Sequence, residues 1–271
     1  MKILDGRELA DYVKERQAKQ VRALRQAWNV FPKLALIVAN DNPVIDTFVR
    51  LKRAYGEDVL VDTEVHSVAQ NEVAGLIESL NNDPTVHGIV LQLPLTNPSE
   101  TDALVQRIAP SKDVDGLGSD EQFGSATATA IDWLLAGYNV TLKGKKIAIV
   151  GRGRLVGTPL AKLWLTAGLD VTTYDETTAN LQEPLRAADV IVTATGVAGL
   201  IRSPMISIGK VVVDAGTASE GGVIVGYVAS DIRERQDLTI TPVRGGVGPL
   251  TIAALFDNVI TAARKTVPAE E

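Results

Sequence analysis

The stretch that most constrains this chain is residues 145–175, KKIAIVGRGRLVGTPLAKLWLTAGLDVTTYD. An apolar run at 147–150 enters a turn marked by Gly151, Gly153 and Gly157, after which Leu160, Leu163 and Trp164 fall at helical spacing. This pattern reads as strand, tight turn and helix. A second β run at 171–174 ends on Asp175, where a Rossmann unit holds the group that faces the adenosine ribose. Glycines let the backbone approach a pyrophosphate, and the free N–H groups and positive end of the following helix bind its charge. The segment is read as a dinucleotide site, with G-x-G-x-x-x-G one residue longer than the usual G-x-G-x-x-G. Arg152, Arg154 and Val156 join its glycines as expected cofactor contacts. Thr195 and Gly196, after the run at 188–194, and Asp214 and Gly216, at the end of the run at 210–215, complete that set.

Upstream, the period changes repeatedly between helix and strand. Asp5 can cap a helix whose apolar positions Leu9, Val13, Val21, Leu24 and Trp28 fall mostly on one face. Residues 34–39 are continuously apolar, as in a parallel strand buried on both faces, and the turn residues 40–43 open the next helix. Strand and helix then alternate through 58–66, 72–80, 87–93 and 101–108. The loop KDVDGLGSDEQFGSATATA, residues 112–130, lacks an apolar period and marks a boundary. The expected fold is therefore α/β with two domains and a cleft between them. Residues 1–130 with 252–271 form a mostly parallel α/β substrate domain, and 131–251 a Rossmann-like dinucleotide domain.

Composition excludes other classes. A chain of 271 residues with 45% hydrophobic side chains can bury a full core, and a net charge of −6 argues against a nucleic-acid or membrane-surface binder. The chain has no cysteine, which removes disulfides, a thiolate nucleophile and thiolate-bound zinc. His66 and His87 are its only histidines, and no clustered ligand spacing points to a metal. The N-terminus turns charged at once, unlike a signal peptide, and no apolar run reaches membrane-spanning length, so the expected location is the cytoplasm.

Three further segments carry chemistry. Phe48 and Lys52 lie four apart and share a helix face. Such a pair is an ordinary amphipathic surface unless Lys52 enters a cleft, where burial would lower its pKa towards neutral pH. In HGIVLQLPL, residues 87–95, Gln92 interrupts an apolar strand and must find partners, either a backbone group or a ligand at the strand's carboxyl end. In PSKDVDG, residues 110–116, loop acids are commonly solvated turn formers, yet Asp115 at a crevice could accept paired N–H donors from a heterocycle.

The succession VHGIVLQLPL, PSKDVDG, GRGRLVGTPLAKL, VVVDAG and TPVRGGVGPLT resembles the methylenetetrahydrofolate dehydrogenase/cyclohydrolase family over nearly the whole chain. The most specific pieces are KDVDG and the late P-x-G-G-V-G-P-x-T at 242–251. The resemblance implies oxidation of 5,10-methylenetetrahydrofolate by a nicotinamide, followed in bifunctional members by hydrolysis to 10-formyltetrahydrofolate. The alternatives are a dehydrogenase with the first activity only or acting on another substrate, and a nucleotide-binding relative without turnover. It implies Lys52 as the acid/base group, Gln92 as its orienting partner and Asp115 as acceptor for the pterin edge. It also implies that Gly245, Gly246, Val247, Gly248 and Pro249 approach the ligand, and that the enzyme is a homodimer. The matching motifs differ in places. Phe48 stands where the family usually has tyrosine, so its ring can stack on the aminobenzoate but offers no hydroxyl. Residues 125–128, Ser-Ala-Thr-Ala, replace the family's P-C-T-P, and Arg244 stands where proline is common. After the second Rossmann strand, Asp175 and Glu176 would repel a 2′-phosphate, which favours NAD, while Arg152 and Arg154 keep NADP in play.

Overall fold

The computed structural model describes every residue except Glu121, Thr217, Gly221, Gly222, Ala269, Glu270 and Glu271, and only the backbone of residues 218–220 and 223–225. In chain order the main elements are β1 (Lys2–Ile3), α1 (Gly6–Trp28), β2 (Lys33–Val38), α2 (Pro43–Val59), β3 (Asp62–Ser67), α3 (Val73–Asn82), β4 (Gly88–Leu91) and α4 (Thr101–Val105). Then follow α5 (Ala126–Gly137), β5 (Lys146–Val150), α6 (Gly157–Thr166), β6 (Asp170–Tyr174), α7 (Gln182–Ala187), β7 (Val190–Thr193) and β8 (Val211–Asp214). The chain ends with β9 (Ala218–Glu220), β10 (Val223–Val225), α8 (Ser230–Arg233), β11 (Thr239–Ile240) and α9 (Val247–Lys265). It divides into two compact units, Asp11–Ala126 with Ile252–Glu271 and Met1–Ala10 with Thr127–Thr251. Among the described residues, no helix is long and apolar enough to cross a membrane.

The unit of Asp11–Ala126 and Ile252–Glu271 holds a parallel sheet in the order β3-β2-β4. Leu34, Ala35, Leu36 and Ile37 in its middle strand are all 0% exposed, as expected of a strand covered on both faces. Helix α2 forms where Asn42 accepts the Val44 N–H at 2.8 Å and Pro43 occupies the first turn. It ends at Leu60, whose φ of 64° turns its N–H back onto the carbonyls of Gly56 and Glu57. For this reason β3 starts at Asp62, whereas the apolar pattern places strand from residue 58. Buried Gln17 joins three helices by accepting the Tyr55 hydroxyl at 2.8 Å and donating to the Ala253 carbonyl at 2.8 Å, and the Phe256 ring packs 5.1 Å from that of Tyr55.

The unit of Met1–Ala10 and Thr127–Thr251 contains a parallel sheet of six strands among the described residues, in the order β1-β11-β8-β7-β5-β6. Trp164 of α6 is 1% exposed and its indole N–H donates to Asp132 of α5 at 2.9 Å. Residues 1–10 join this unit, not the first domain to which their position in sequence assigns them. The cause is pairing: Lys2 and Ile3 register with Thr239 and Ile240, and fully buried Leu4 donates its N–H to the Ile240 carbonyl. Two residues are too few to show a strand period, so this edge is invisible to pattern reading.

Candidate active site and dinucleotide site

Lys52 and Gln92, forty residues apart, meet in the first unit. The Lys52 ammonium donates to Gln92 Oε1 at 3.1 Å. Gln92 directly follows β4, its own N–H donates to the Ile37 carbonyl at 2.9 Å, and its side chain is buried. The amide is thus held at the carboxyl end of the sheet, where parallel sheets carry ligand sites. Lys52 is partly exposed as a residue, but desolvation of its ammonium lowers its pKa, and the Asp115 carboxylate opposes that shift. Asp115 feels the mirror image, with desolvation raising its pKa and Lys52 restraining the rise. Phe48 lies one turn before Lys52 on α2, half-buried.

Asp115 is delivered by a loop that the sheet and a buried acid hold together. Ile89 of β4 donates its N–H to the Lys112 carbonyl at 2.8 Å, so the KDVDG segment lies along the sheet edge. Asp113, 5% exposed, accepts the N–H groups of Gly116, Leu117 and Gly118 at 3.1, 3.0 and 2.7 Å. In the sequence Asp113 is one of several loop acids. The glycines at 116 and 118 were the available signal for this wrapped turn, since Gly116 has a φ of 66° and a Cβ on Gly118 would lie 2.9 Å from the Asp113 carboxylate. Lys112 donates to the Leu80 and Asp83 carbonyls at 2.8 and 2.6 Å, a structural tie.

In the second unit, the order of the sheet reverses at β5, between β6 on one side and β7 on the other. Gly151, with φ of 107°, follows β5 so closely to Ala194 that a Cβ would sit 2.3 Å from the Ala194 carbonyl oxygen. Thr195 and Gly196 continue from Ala194 at the same switch point. A Cβ on Gly157 would stand 1.8 Å from the Gly151 carbonyl oxygen, which explains the third glycine despite the longer spacing. Around Gly153 and Gly196, by contrast, a Cβ would meet nothing within 4 Å. Val156 precedes α6, and no side chain caps that helix; the Thr158 N–H is taken by the Gly153 carbonyl at 3.1 Å, so the turn closes on itself there, and the glycine turn before a helix N-terminus is an arrangement that fits a pyrophosphate. Asp175 directly follows β6, accepts the Thr177 hydroxyl at 2.6 Å and pairs with Arg152 at 3.2 Å. Arg152 also donates to Thr173 Oγ1 at 2.9 Å, which lays its guanidinium across the end of β6, and Arg154 lies in the same turn.

Asp214 departs from its expected place among the cofactor contacts. Its carboxylate accepts the N–H groups of Gly216, Tyr227 and Val228 at 2.9, 3.0 and 3.2 Å and pairs with Arg233 at 2.8 Å. Four internal donors saturate it, so it acts as a buried anchor for the loops around it. Gly216 takes part through its N–H alone. Of the late glycine segment, Gly245 has φ of 87° and accepts the Gly6 N–H at 2.8 Å, and a Cβ on Gly6 would meet the Gly246 oxygen at 1.8 Å. Val247, Gly248 and Pro249 form the first turn of α9, which begins earlier than the apolar period at 251 indicates.

The chain is similar in sequence and fold to known proteins. The catalytic domain of tetrahydrofolate dehydrogenase/cyclohydrolase matches residues 4–115, and the NAD(P)-binding domain of the same family matches residues 125–267. The bifunctional protein FolD of Lactobacillus helveticus is 37% identical over 277 residues, covering 97% of this chain and 98% of its own. The crystal structure of the Campylobacter jejuni bifunctional FolD superposes with a TM-score of 0.92 at 35% identity, covering 98% of this chain and 100% of that one. The Trypanosoma brucei FolD, solved with NADP cofactor and inhibitor, gives a TM-score of 0.91 at 30% identity over 98% of each chain. Matching domains over most of the sequence, with relatives alike along their full length, place this chain in the tetrahydrofolate dehydrogenase/cyclohydrolase family.

Proposed function

We propose that this chain oxidises 5,10-methylenetetrahydrofolate to 5,10-methenyltetrahydrofolate with NAD(P) and then hydrolyses the methenyl cation to 10-formyltetrahydrofolate. The observation that carries this reading is the desolvated Lys52 amine held by Gln92 and acted on by Asp115, in a member of this family. A bound nicotinamide supplies the hydride acceptor. Gly151, Arg152, Gly153, Arg154, Val156 and Gly157 would hold its pyrophosphate, with Thr195 and Gly196 beside them and Asp175 at the ribose.

The product of oxidation is a cation, and a neutral amine tolerates it better than an ammonium. Desolvation favours that neutral form of Lys52. Gln92 Oε1 accepts one N–H of Lys52, which directs the nitrogen's remaining valences. In hydrolysis, Lys52 takes a proton from the water that adds to the methenyl carbon and returns it to the ring nitrogen as its bond to that carbon breaks, while the remaining hydroxyl proton leaves to solvent as the formyl carbonyl forms. Asp115 accepts paired N–H donors of the pterin, Phe48 stacks on the aminobenzoate, and the backbone from Gly245 to Pro249 meets the ligand.

NAD is the favoured cofactor on this reading. Asp175 and Glu176 place negative charge where a 2′-phosphate would lie, and Arg152 is already paired with Asp175. A higher kcat/KM with NADP than with NAD overturns that preference. The family likeness also carries the expectation of a homodimer in the cytoplasm, which light scattering and cell fractionation check.

One feature favours a second reading, a dehydrogenase alone, because Phe48 lacks a hydroxyl that could orient water. Mixing the protein with methylenetetrahydrofolate and either nicotinamide, and following reduced nicotinamide and methenyl absorbance separately, tests both. Reduced cofactor with transient methenyl supports the bifunctional reading. Persistent methenyl supports the dehydrogenase alone, and no change with either cofactor refutes both.

A further inference from the structure

We infer that Asn258, on α9, is a positioning residue for Asp115, so that the C-terminal helix tunes the acid/base pair without touching it. The inference rests on the roles given above to Asp115 and Lys52. The Asn258 side-chain amide donates one hydrogen to the Val114 carbonyl at 2.8 Å and the other to the Gly124 carbonyl at 3.0 Å. One bond falls immediately before Asp115 and the other near the end of the same loop, so a single amide clips both limbs together. Within the clip the backbone has little freedom. Gly116, at φ of 66°, approaches so closely that a Cβ would lie 2.8 Å from Phe123 O and Ser125 N. The Ala126 N–H reaches the Asp115 carbonyl at 3.4 Å.

Asp113 fills the opposite side of the loop, where its three N–H contacts wrap residues 116–118. Asp115 is thus held between an inner carboxylate cage and an outer amide clip. Helix α9 is itself fixed to the sheet that carries Gln92. A Cβ on Gly88 of β4 would touch Val259 at 3.1 Å, the Gln17 amide donates to the Ala253 carbonyl, and the Lys265 ammonium stands 4.5 Å from the centre of the Phe123 ring. Asn258 therefore couples the position of the Asp115 carboxylate to the frame that sets Lys52 and Gln92. A small displacement of a charged group from its partner is enough to change rate.

The test compares Asn258→Leu, which keeps the shape and removes both donors, with Asp115→Asn and the double variant. In Asn258→Leu, kcat for methenyl hydrolysis should fall about tenfold and the KM for folate should rise, while the KM for NAD(P) stays unchanged. The ascending limb of kcat against pH should move to lower pH, because Asp115 no longer holds the Lys52 pKa up. The double variant should be no worse than Asp115→Asn alone. A purely structural role would lower the melting temperature and leave the limb in place, and that result overturns the inference, as does a double variant whose losses multiply. Wild-type kinetics in Asp115→Asn overturn the assignment of Asp115 itself, which separates that failure from this one. Should Asn258→Leu not fold, Asn258→Ser at this half-buried position keeps one donor and should show an intermediate shift of the limb. An unshifted limb in Asn258→Ser overturns the inference equally.

Discussion

The Lys52 amine is desolvated and bonded to Gln92, and that environment is what the proposed chemistry uses. Lys52→Met keeps the stem and removes the nitrogen. Hydrolysis of the methenyl cation should fall by about 10²–10⁴-fold, while dinucleotide affinity measured by fluorescence titration stays as it was. The same group predicts a stability effect whose sign follows from its shift. With the folded-state pKa of Lys52 lowered from 10.5, the unfolded chain binds more protons between the folded value and 10.5, so stability from this residue rises with pH across that window. Thermal midpoints measured over alkaline pH should show this rise in the native chain and a flatter profile in Lys52→Met. At position 48, Phe48→Tyr should raise the hydrolysis rate, since the added hydroxyl can order a water, and unchanged single-turnover rates would show that the site already compensates. The identities of Lys52, Gln92 and Asp115 were legible through motif resemblance. The bond between Lys52 and Gln92 was not, because residues forty apart share no local pattern.

Elements are legible in proportion to their length and punctuation. The strand at 33–38 and helix α2 announce themselves through a continuous apolar run and an Asn-Pro start. The end of α2 does not, since Leu60 adopts a left-handed conformation that no leucine signals in advance. At the dinucleotide turn, the odd spacing of glycines made the motif ambiguous, and the structure resolves it through contact. Gly157 belongs to the first turn of α6 and lies against the Gly151 carbonyl. Gly157→Ala should therefore force that turn open, costing on the order of 2–3 kcal/mol and abolishing dinucleotide binding, as read by thermal melts with and without NAD. Gly153→Ala, with nothing within 4 Å of its Cβ, should leave the melting temperature unchanged and weaken cofactor binding alone.

For the molecule as a whole, each unit has anchors that come from distant sequence. In the unit of Met1–Ala10 and Thr127–Thr251, the buried Asp214 and Arg233 pair holds the loops after β8, and Asp214→Ala should cost about 3–5 kcal/mol by leaving a guanidinium without its partner, measurable by denaturant unfolding. Residue order alone was enough to read an α/β chain, a glycine turn between strand and helix, and which lysine, amide and carboxylate to suspect. The first two rest on periodicity and short-range backbone geometry, which neighbouring residues alone can specify, and the third on motif resemblance. Long-range contacts settled that β1 completes the distant sheet beside β11, that Asp214 is taken up by the loops around it, and that Asn258 of the last helix clips the loop of Asp115. Each of these is a hydrogen-bonding partnership made across more than a dozen residues, and a donor in sequence does not name its acceptor until the chain has folded.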